Sequence, residues 1–271
     1  MKNLLAAAAL FALSVGSATA ADLAPRPYAK APVAAPYYDW TGFYVGLNAG
    51  YAWDNSTSSY VSDGGTVTNL ITGAAIPVSQ GVKKDGFTGG FQLGYNRQFE
   101  RLVVGLEGDV NFLDVGGSSS VTQVNPAVIP IVGFPGGYGA GNQWISTASV
   151  KANYLATLRA RFGFAVDRTL IYATGGAAFS DFSTAATLNQ GPGFSFWSGS
   201  ARLNSVGWTA GGGVEHAFAR NWTAKVEALY YDFGSRNYTL TETQVGVANF
   251  AITKSVSVNG VLARAGVNYK F

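Results

Sequence analysis

The C-terminal segment of the chain alternates in the pattern of a half-buried β-strand. Counting back from the terminus in steps of two gives an apolar set, Phe271, Tyr269, Val267, Ala265, Ala263 and Val261. The residues between them are mostly polar or small, Lys270, Asn268, Gly266, Arg264 and Leu262. A period of two places these sets on opposite faces of a strand. The sequence therefore predicts a terminal strand over 258–271 with an aromatic residue at the end of its apolar face.

Seven earlier segments indicate further strands, namely 42–53, 88–99, 102–112, 150–164, 169–180, 205–218 and 222–233. In six of them apolar residues alternate with small or polar ones. The segment 169–180 has the composition of a strand, but its alternation leaves open which face is which. A length of about ten residues suits a tilted strand that crosses a bilayer.

The connections between these segments alternate in length. Those at Glu100-Arg101, Val166-Asp167-Arg168 and Arg220-Asn221 are very short. Those near 54–86, 113–149, 181–204 and 234–257 are long and rich in Ser, Thr, Asn and Gly. The pattern predicts an all-β fold, an eight-stranded antiparallel up-and-down transmembrane β-barrel with short periplasmic turns and long extracellular loops.

Eight charged residues share the glycine-rich face of the predicted strands: Glu107, Asp109, Arg159, Arg161, Glu215, Lys225, Glu227 and Arg264. An Arg or Lys side chain at the lipid midplane costs about 2–4 kcal/mol, so this face should point into the barrel. The narrow interior of eight strands also favours small residues. We therefore predict a network of charges in the lumen that cross-links the strands, and an apolar face that meets lipid.

Four tryptophans fit an aromatic belt at the membrane interfaces. The alternating direction of the strands puts Trp40 and Trp222 at the periplasmic end and Trp53 and Trp208 at the outer end. Trp144 and Trp197 fall in predicted loops, where recognition and loop packing are equally compatible with the sequence.

The chain divides into three predicted regions. Residues 1–20 have a lysine, a short apolar stretch and the small-residue sequence Ala18-Thr19-Ala20, the pattern of a secretory signal peptide. Residues 21–39 are rich in proline and form a predicted periplasmic lead-in. Residues 40–271 form the predicted barrel.

The sequence offers little for catalysis. Cysteine is absent and His216 is the single histidine, so we expect no catalytic, cofactor-binding or metal site. His216 falls on the predicted lipid-facing side near a short turn. Glu107 and Asp109 could form an acid–base pair, although basic neighbours in the lumen explain them equally well. A formal net charge of +3 gives no reason to expect nucleic acid as a partner.

Several segments resemble one known family. "WTGFYVGLNAGYAW" at 40–53, "YLATLRARFGFAVDRTLIYATGGAAF" at 154–179, "GWTAGGGVEHAFARNWTAKVEALYYDFG" at 207–234 and the final "ARAGVNYKF" are similar to the porin-family outer-membrane immunogenic proteins of alphaproteobacteria, the Omp25/Omp31 type. The long loops match nothing specific. The resemblance implies a location in the bacterial outer membrane and a barrel without catalysis.

The resemblance also implies partners. They are outer-membrane lipid and lipopolysaccharide, the barrel-insertion machinery, and an extracellular ligand or host surface reached through the loops. In this class the insertion machinery reads the terminal aromatic strand, here Val267, Tyr269 and Phe271. The leading hypothesis is a structural, surface-exposed protein that contributes to envelope integrity. The alternatives are a narrow channel for small solutes, an outer-membrane enzyme and a soluble lipocalin-like binder.

Overall fold

The computed structural model describes residues 38–82, 84–131, 134–138, 140–190, 196–242 and 251–271. The predicted signal peptide and the predicted lead-in up to residue 37 lie outside the described residues. In chain order the elements are β1 (Gly42–Asp54), β2 (Thr57–Tyr60), α1 (Thr66–Thr72), β3 (Ser79–Gly81), β4 (Lys84–Phe99), β5 (Leu102–Val124), β6 (Ile129–Ile131), β7 (Phe134–Tyr138), β8 (Gln143–Val166), β9 (Thr169–Asn189), β10 (Phe196–Ala217), β11 (Trp222–Glu242) and β12 (Ile252–Lys270).

The long strands form a closed ring of antiparallel pairs. Their order is β1-β4-β5-β8-β9-β10-β11-β12, and β12 pairs back onto β1, for example through Val267 and Leu47. Each of the eight predicted segments falls in one of these strands to within one residue at its end, and the predicted all-β class is confirmed. Closure leaves the ring without a free strand edge over its paired length.

The faces of the strands follow the predicted alternation. Leu106 and Val226 are 61% and 59% exposed on the outside, whereas Glu107 is 2% exposed inside. The structure also shows which face of β9 points inward, a question that the sequence left open. Its register with β8 and β10 turns Ile171 outward and buries Leu170 and Tyr172 inside.

The two ends of the ring differ. At one end, here called the turn end, two-residue turns at Glu100-Arg101 and Asp167-Arg168 join neighbouring strands. Glu100 and Asp167 adopt positive φ angles of 55° and 50°, a conformation that tight hairpin turns use. The opposite end, the loop end, carries the longer connections.

The predicted long loops are wrong in extent. Strand β5 continues to Val124, β8 begins at Gln143, and β9 continues to Asn189, so much of 113–149 and 181–204 is strand. Likewise β11 and β12 cover most of 234–257. The outward residues change there from apolar to Ser and Thr, which lowers hydrophobicity without removing strand propensity. The polar composition of these segments therefore led to a prediction of loops, although their backbone continues the β-sheet.

Trp40 does not lie in the predicted aromatic belt, and this part of the prediction is wrong. It lies inside the turn end, 1% exposed, where its ring packs on Tyr38 at 4.8 Å and its backbone N–H donates to Gln98 Oε1 at 2.7 Å. Tyr38 and Trp40, just before β1, turn their side chains into the ring, and the indole is buried in what we call the turn-end cluster. This cluster consists of Tyr38, Trp40, Val103, Ala165, Leu170, Tyr172 and Ala217.

The connection between β1 and β4 folds over the loop end. Strand β2 pairs with β12 and with β3, and between them α1 buries Val67 and Leu70. These residues join a second apolar cluster, the loop-end cluster, to which Trp144 and Trp197 also belong. The two indoles stack at 6.1 Å and are buried, so they serve packing. No helix in the described ranges has the length and apolar character needed to span a bilayer.

Candidate functional site

The charged residues predicted to face the lumen come together inside the ring. Arg159 is fully buried at their centre. Its Nη2 lies 2.8 Å from Asp109 Oδ2 and also contacts Glu107, while its Nη1 lies 3.0 Å from Glu227 Oε1. One guanidinium from β8 therefore links carboxylates from β5 and β11.

Two further bases complete this centre. Arg264 on β12 lies 2.6 Å from Glu227 and 3.1 Å from Asp109, and Lys225 Nζ lies 2.8 Å from Glu107. Arg161 and Glu215 extend the group, so four bases meet four acids and the charge cluster has no net charge. Because each carboxylate has cationic partners, Glu107 and Asp109 are not arranged as a free acid–base pair.

Arg161 connects the charge cluster to the turn end. It pairs with Glu215, and its guanidinium lies 3.6 Å from the centroid of the Tyr172 ring. Glu215 also accepts hydrogen bonds from Thr223 and, at 2.7 Å, from Asn268. Hydrogen bonds to several donors are what a buried charge requires.

Two tyrosines in the cluster were not predicted. Tyr44 donates to Glu107 at 2.7 Å, and Tyr172 donates to Glu227 at 3.1 Å. Each ring lies over a glycine on the neighbouring strand, where a larger residue would not fit. A Cβ at Gly213 would stand 2.7 Å from the Tyr172 hydroxyl, and one at Gly94 would overlap Tyr44. Glycine opposite an inward tyrosine is the sequence signal that could have found them.

The interior is filled at three levels. The turn-end cluster lies below the charge cluster, and the loop-end cluster with α1 lies above it. A cavity lined by Ala52, Leu155 and Tyr231 has a volume of about 10 Å³, which is the space of one water molecule. Buried side chains of the described residues thus occupy all three levels.

The remaining predicted residues lie on the outer wall. Trp53, Trp208 and Trp222 are exposed there, as an aromatic belt requires, and so are Val267, Tyr269 and Phe271 of the terminal strand. His216 is exposed near the turn end, with Nδ1 3.0 Å from Thr169 Oγ1. In the described part of the chain, no three His, Cys, Asp or Glu side chains are grouped so as to hold a metal ion.

Lys254 is a buried base apart from the charge cluster. It lies near the loop end of β12, where the neighbouring outward residues are hydroxyl-bearing, and its Nζ has no hydrogen-bond partner among the described residues. The amine lies 4.2 Å from the centroid of the Tyr60 ring, and Tyr238 faces it from β11. Burial lowers the pKa of Lys254 to about 8.

This environment predicts a pH dependence of stability. Between about pH 8 and pH 10 the unfolded chain binds a proton at Lys254 that the folded chain releases, so stability rises with pH across this window. We expect Lys254→Met to raise the apparent unfolding temperature at pH 7 and to flatten its rise towards pH 10. Thermal melts in detergent measure both effects. The exposed Lys151→Met is the control, and an unchanged pH slope in Lys254→Met would contradict the assignment.

A closed ring of antiparallel strands that exposes its apolar side chains and buries its charges defines a membrane-spanning β-barrel. Residues 5–271 match the family described as "Outer membrane protein beta-barrel domain", and the chain belongs to this family.

Curated relatives of the chain support the same family assignment. The chain is 34% identical over 269 residues to the 31 kDa outer-membrane immunogenic protein of Brucella melitensis, covering 97% of this chain and 98% of the relative. It is 28% identical to the 25 kDa outer-membrane immunogenic protein of Brucella abortus, covering 97% and 95%. It is 26% identical to the 22 kDa outer membrane protein of Rhizobium leguminosarum, covering 78% and 72%.

Among solved structures, the outer membrane protein OprG of Pseudomonas aeruginosa is similar at 12% identity and a TM-score of 0.48, covering 86% of this chain and 97% of that one. The predicted family and the location in the bacterial outer membrane are confirmed by the family match and the curated relatives. The soluble lipocalin-like alternative is therefore wrong. The names of these three curated relatives describe outer-membrane proteins and antigens, not enzymes.

Proposed function

We propose that this protein is a structural, surface-exposed eight-stranded barrel that contributes to the integrity of the outer membrane without conducting solutes or catalysing a reaction. One observation carries the proposal: the interior is packed at three successive levels, with a neutral charge cluster between two apolar clusters. An eight-stranded ring leaves room for side chains and little else.

The proposed orientation follows from the two ends of the ring. Short turns are typical of the periplasmic side of such barrels and longer connections of the outer side. The turn end is therefore periplasmic, and the loop end, with α1 and the extended strands, lies on the cell surface. There it is available for contact with a host or with environmental ligands.

The terminal strand supports a role in assembly. Val267, Tyr269 and Phe271 all turn outward, and the backbone N–H of Phe271 donates to the carbonyl of Phe43 at 3.0 Å. The strand that closes the ring thus presents an aromatic face that the insertion machinery could read. We propose these three residues as the assembly signal.

The alternative is a narrow channel for small solutes, and single-channel recording separates the two. We expect the protein to show no steady openings in planar bilayers, because the charge cluster and the connection over the loop end fill the path of an ion. A porin with an open lumen, reconstituted in the same bilayers, is the positive control. Steady openings of uniform conductance would replace our proposal with the channel.

A further inference from the structure

Four strands extend beyond the apolar band with a regular outward face. On β9 and β10 the band ends near Phe179 and Val206, which are paired and exposed. Beyond them the outward positions carry mainly hydroxyl groups. Ser118 and Ser120 on β5 face Ser149 and Thr147 on β8, and Thr187 on β9 lies between Thr147 and Ser198 on β10.

We call this surface the hydroxyl face and define it by the outward residues of the four strands. They are Gly116, Ser118, Ser120 and Thr122 on β5, Thr147, Ser149 and Lys151 on β8, Ser183, Ala185 and Thr187 on β9, and Ser198, Ser200 and Arg202 on β10. Neighbouring strands are about 4.8 Å apart, and successive outward residues about 6.8 Å. The side chains therefore form a regular array of donors and acceptors.

Two bases mark the edge of the hydroxyl face nearest the apolar band. Lys151 and Arg202 both pair with Ser183, one from each side, and both are exposed. Their backbones are separated by two strand spacings, about 10 Å. Side chains of this length can therefore converge on one anionic group above Ser183.

The nearest acid is Asp181, one outward position closer to the band. Its Oδ2 accepts a hydrogen bond from Asn153 Nδ2 at 3.0 Å. Asp181 would repel an anion from that side, which places the anion over Ser183 or beyond it, away from the band. Ser183 and Arg202 lie four residues from Phe179 and Val206 along their strands, about 13 Å, and Lys151 pairs with Ser183 at the same level. In the proposed orientation this is the level of lipid head groups and the first sugars.

We propose that the hydroxyl face binds the phosphorylated sugars of lipopolysaccharide, with Lys151 and Arg202 contacting one phosphate and the serine and threonine hydroxyls contacting the saccharide. The inference rests on the proposed function in taking the loop end as the outer side. Charge complementarity and the hydroxyl array select this occupant over the acyl chains, which meet the apolar band.

The test uses the full refolded barrel in detergent and a water-soluble probe, deacylated lipopolysaccharide core oligosaccharide that retains its phosphates. Calorimetric titration should show binding, and the double variant Lys151→Glu/Arg202→Glu should weaken it about tenfold, as expected for two exposed charge contacts. The control Arg101→Glu/Arg168→Glu has the same change in net charge at the exposed turns of the opposite end. It should stay within about twofold of the unaltered protein.

Two further probes identify what is bound. The dephosphorylated oligosaccharide should bind the unaltered protein about tenfold more weakly than the phosphorylated one does. It should bind Lys151→Glu/Arg202→Glu and the unaltered protein with equal affinity. Inorganic phosphate alone should not compete at equal concentration. Equal binding by both double variants, or full competition by inorganic phosphate, would overturn the inference. This assay requires no insertion into a bilayer, so its failure is distinct from a failure of the conductance experiment.

Discussion

Replacing Arg159 with leucine is expected to destabilise the folded barrel by about 3–5 kcal/mol, the cost of breaking a buried ion pair by removing one partner. Arg159 contacts Glu107, Asp109 and Glu227, and all of these side chains are buried. Leucine keeps apolar bulk but leaves the carboxylates with fewer cations in a site closed to solvent. Reversible urea unfolding in lipid vesicles measures the change.

The control for this variant is Arg97→Leu. Arg97 is exposed on the outer wall near the turn end, where its guanidinium lies 5.6 Å from the Phe99 ring centroid. A surface change of this kind should stay within about 1 kcal/mol. The double variant Arg159→Met/Glu227→Met removes one base and one acid and restores charge balance. It should lose about 0.5–3 kcal/mol less than the sum of the losses of Arg159→Met and Glu227→Met measured singly.

A loss below about 1 kcal/mol for Arg159→Leu would show that the cluster does not hold the strands together. A double variant with no coupling would show that Arg159 and Glu227 act independently. Either result would remove the energetic basis of the structural role.

Val226→Arg is expected to cost about 2–4 kcal/mol of folding free energy in a bilayer, because it places a cation among lipid chains. Val226 lies on the outer face of β11, midway along the exposed apolar stretch between Trp222 and Tyr230. Arginine there can reach water only by bending along the wall. Urea unfolding in lipid vesicles, together with the yield of membrane insertion, measures the penalty.

The matched control lies on the same strand. Thr239 is exposed beyond the apolar band, so Thr239→Arg should cost less than about 1 kcal/mol. Thr223, near the start of the strand, is unsuitable because it is buried inside and donates to Glu215. Equal losses from Val226→Arg and Thr239→Arg would contradict the assignment of the outer wall to lipid.

The sequence predicted the two faces of the strands because a period of two is a local property. Each strand shows its own alternation, and the charges of Glu107 or Lys225 fix which face points inward. The sequence could not predict partners. Arg159 meets Glu227 across 68 residues of chain, and that contact depends on the register of the strands that lie between them around the ring.

The errors have a common physical cause. Trp40 was placed in a lipid belt because aromatic residues suit an interface, but its indole turns into the ring and packs on Tyr38. Trp144 and Trp197 were placed in loops because their surroundings are polar, although one face of the extended sheet there is apolar. In each case tertiary packing decided the position, and a single segment carries no signal of it.

The extended strands determine how far the loop end of the molecule stands from the bilayer. Strand β5 runs from Leu113 to Val124 beyond its last outward aromatic residue, Phe112, and twelve residues span about 40 Å along a strand. A strand tilt of about 35–45° reduces this to roughly 30 Å of height. In the proposed orientation, a large molecule in the surrounding medium would meet the strand tips well before the membrane surface, so substitutions at the tips would change what it contacts while the buried ion pairs and the lipid contact stay unchanged.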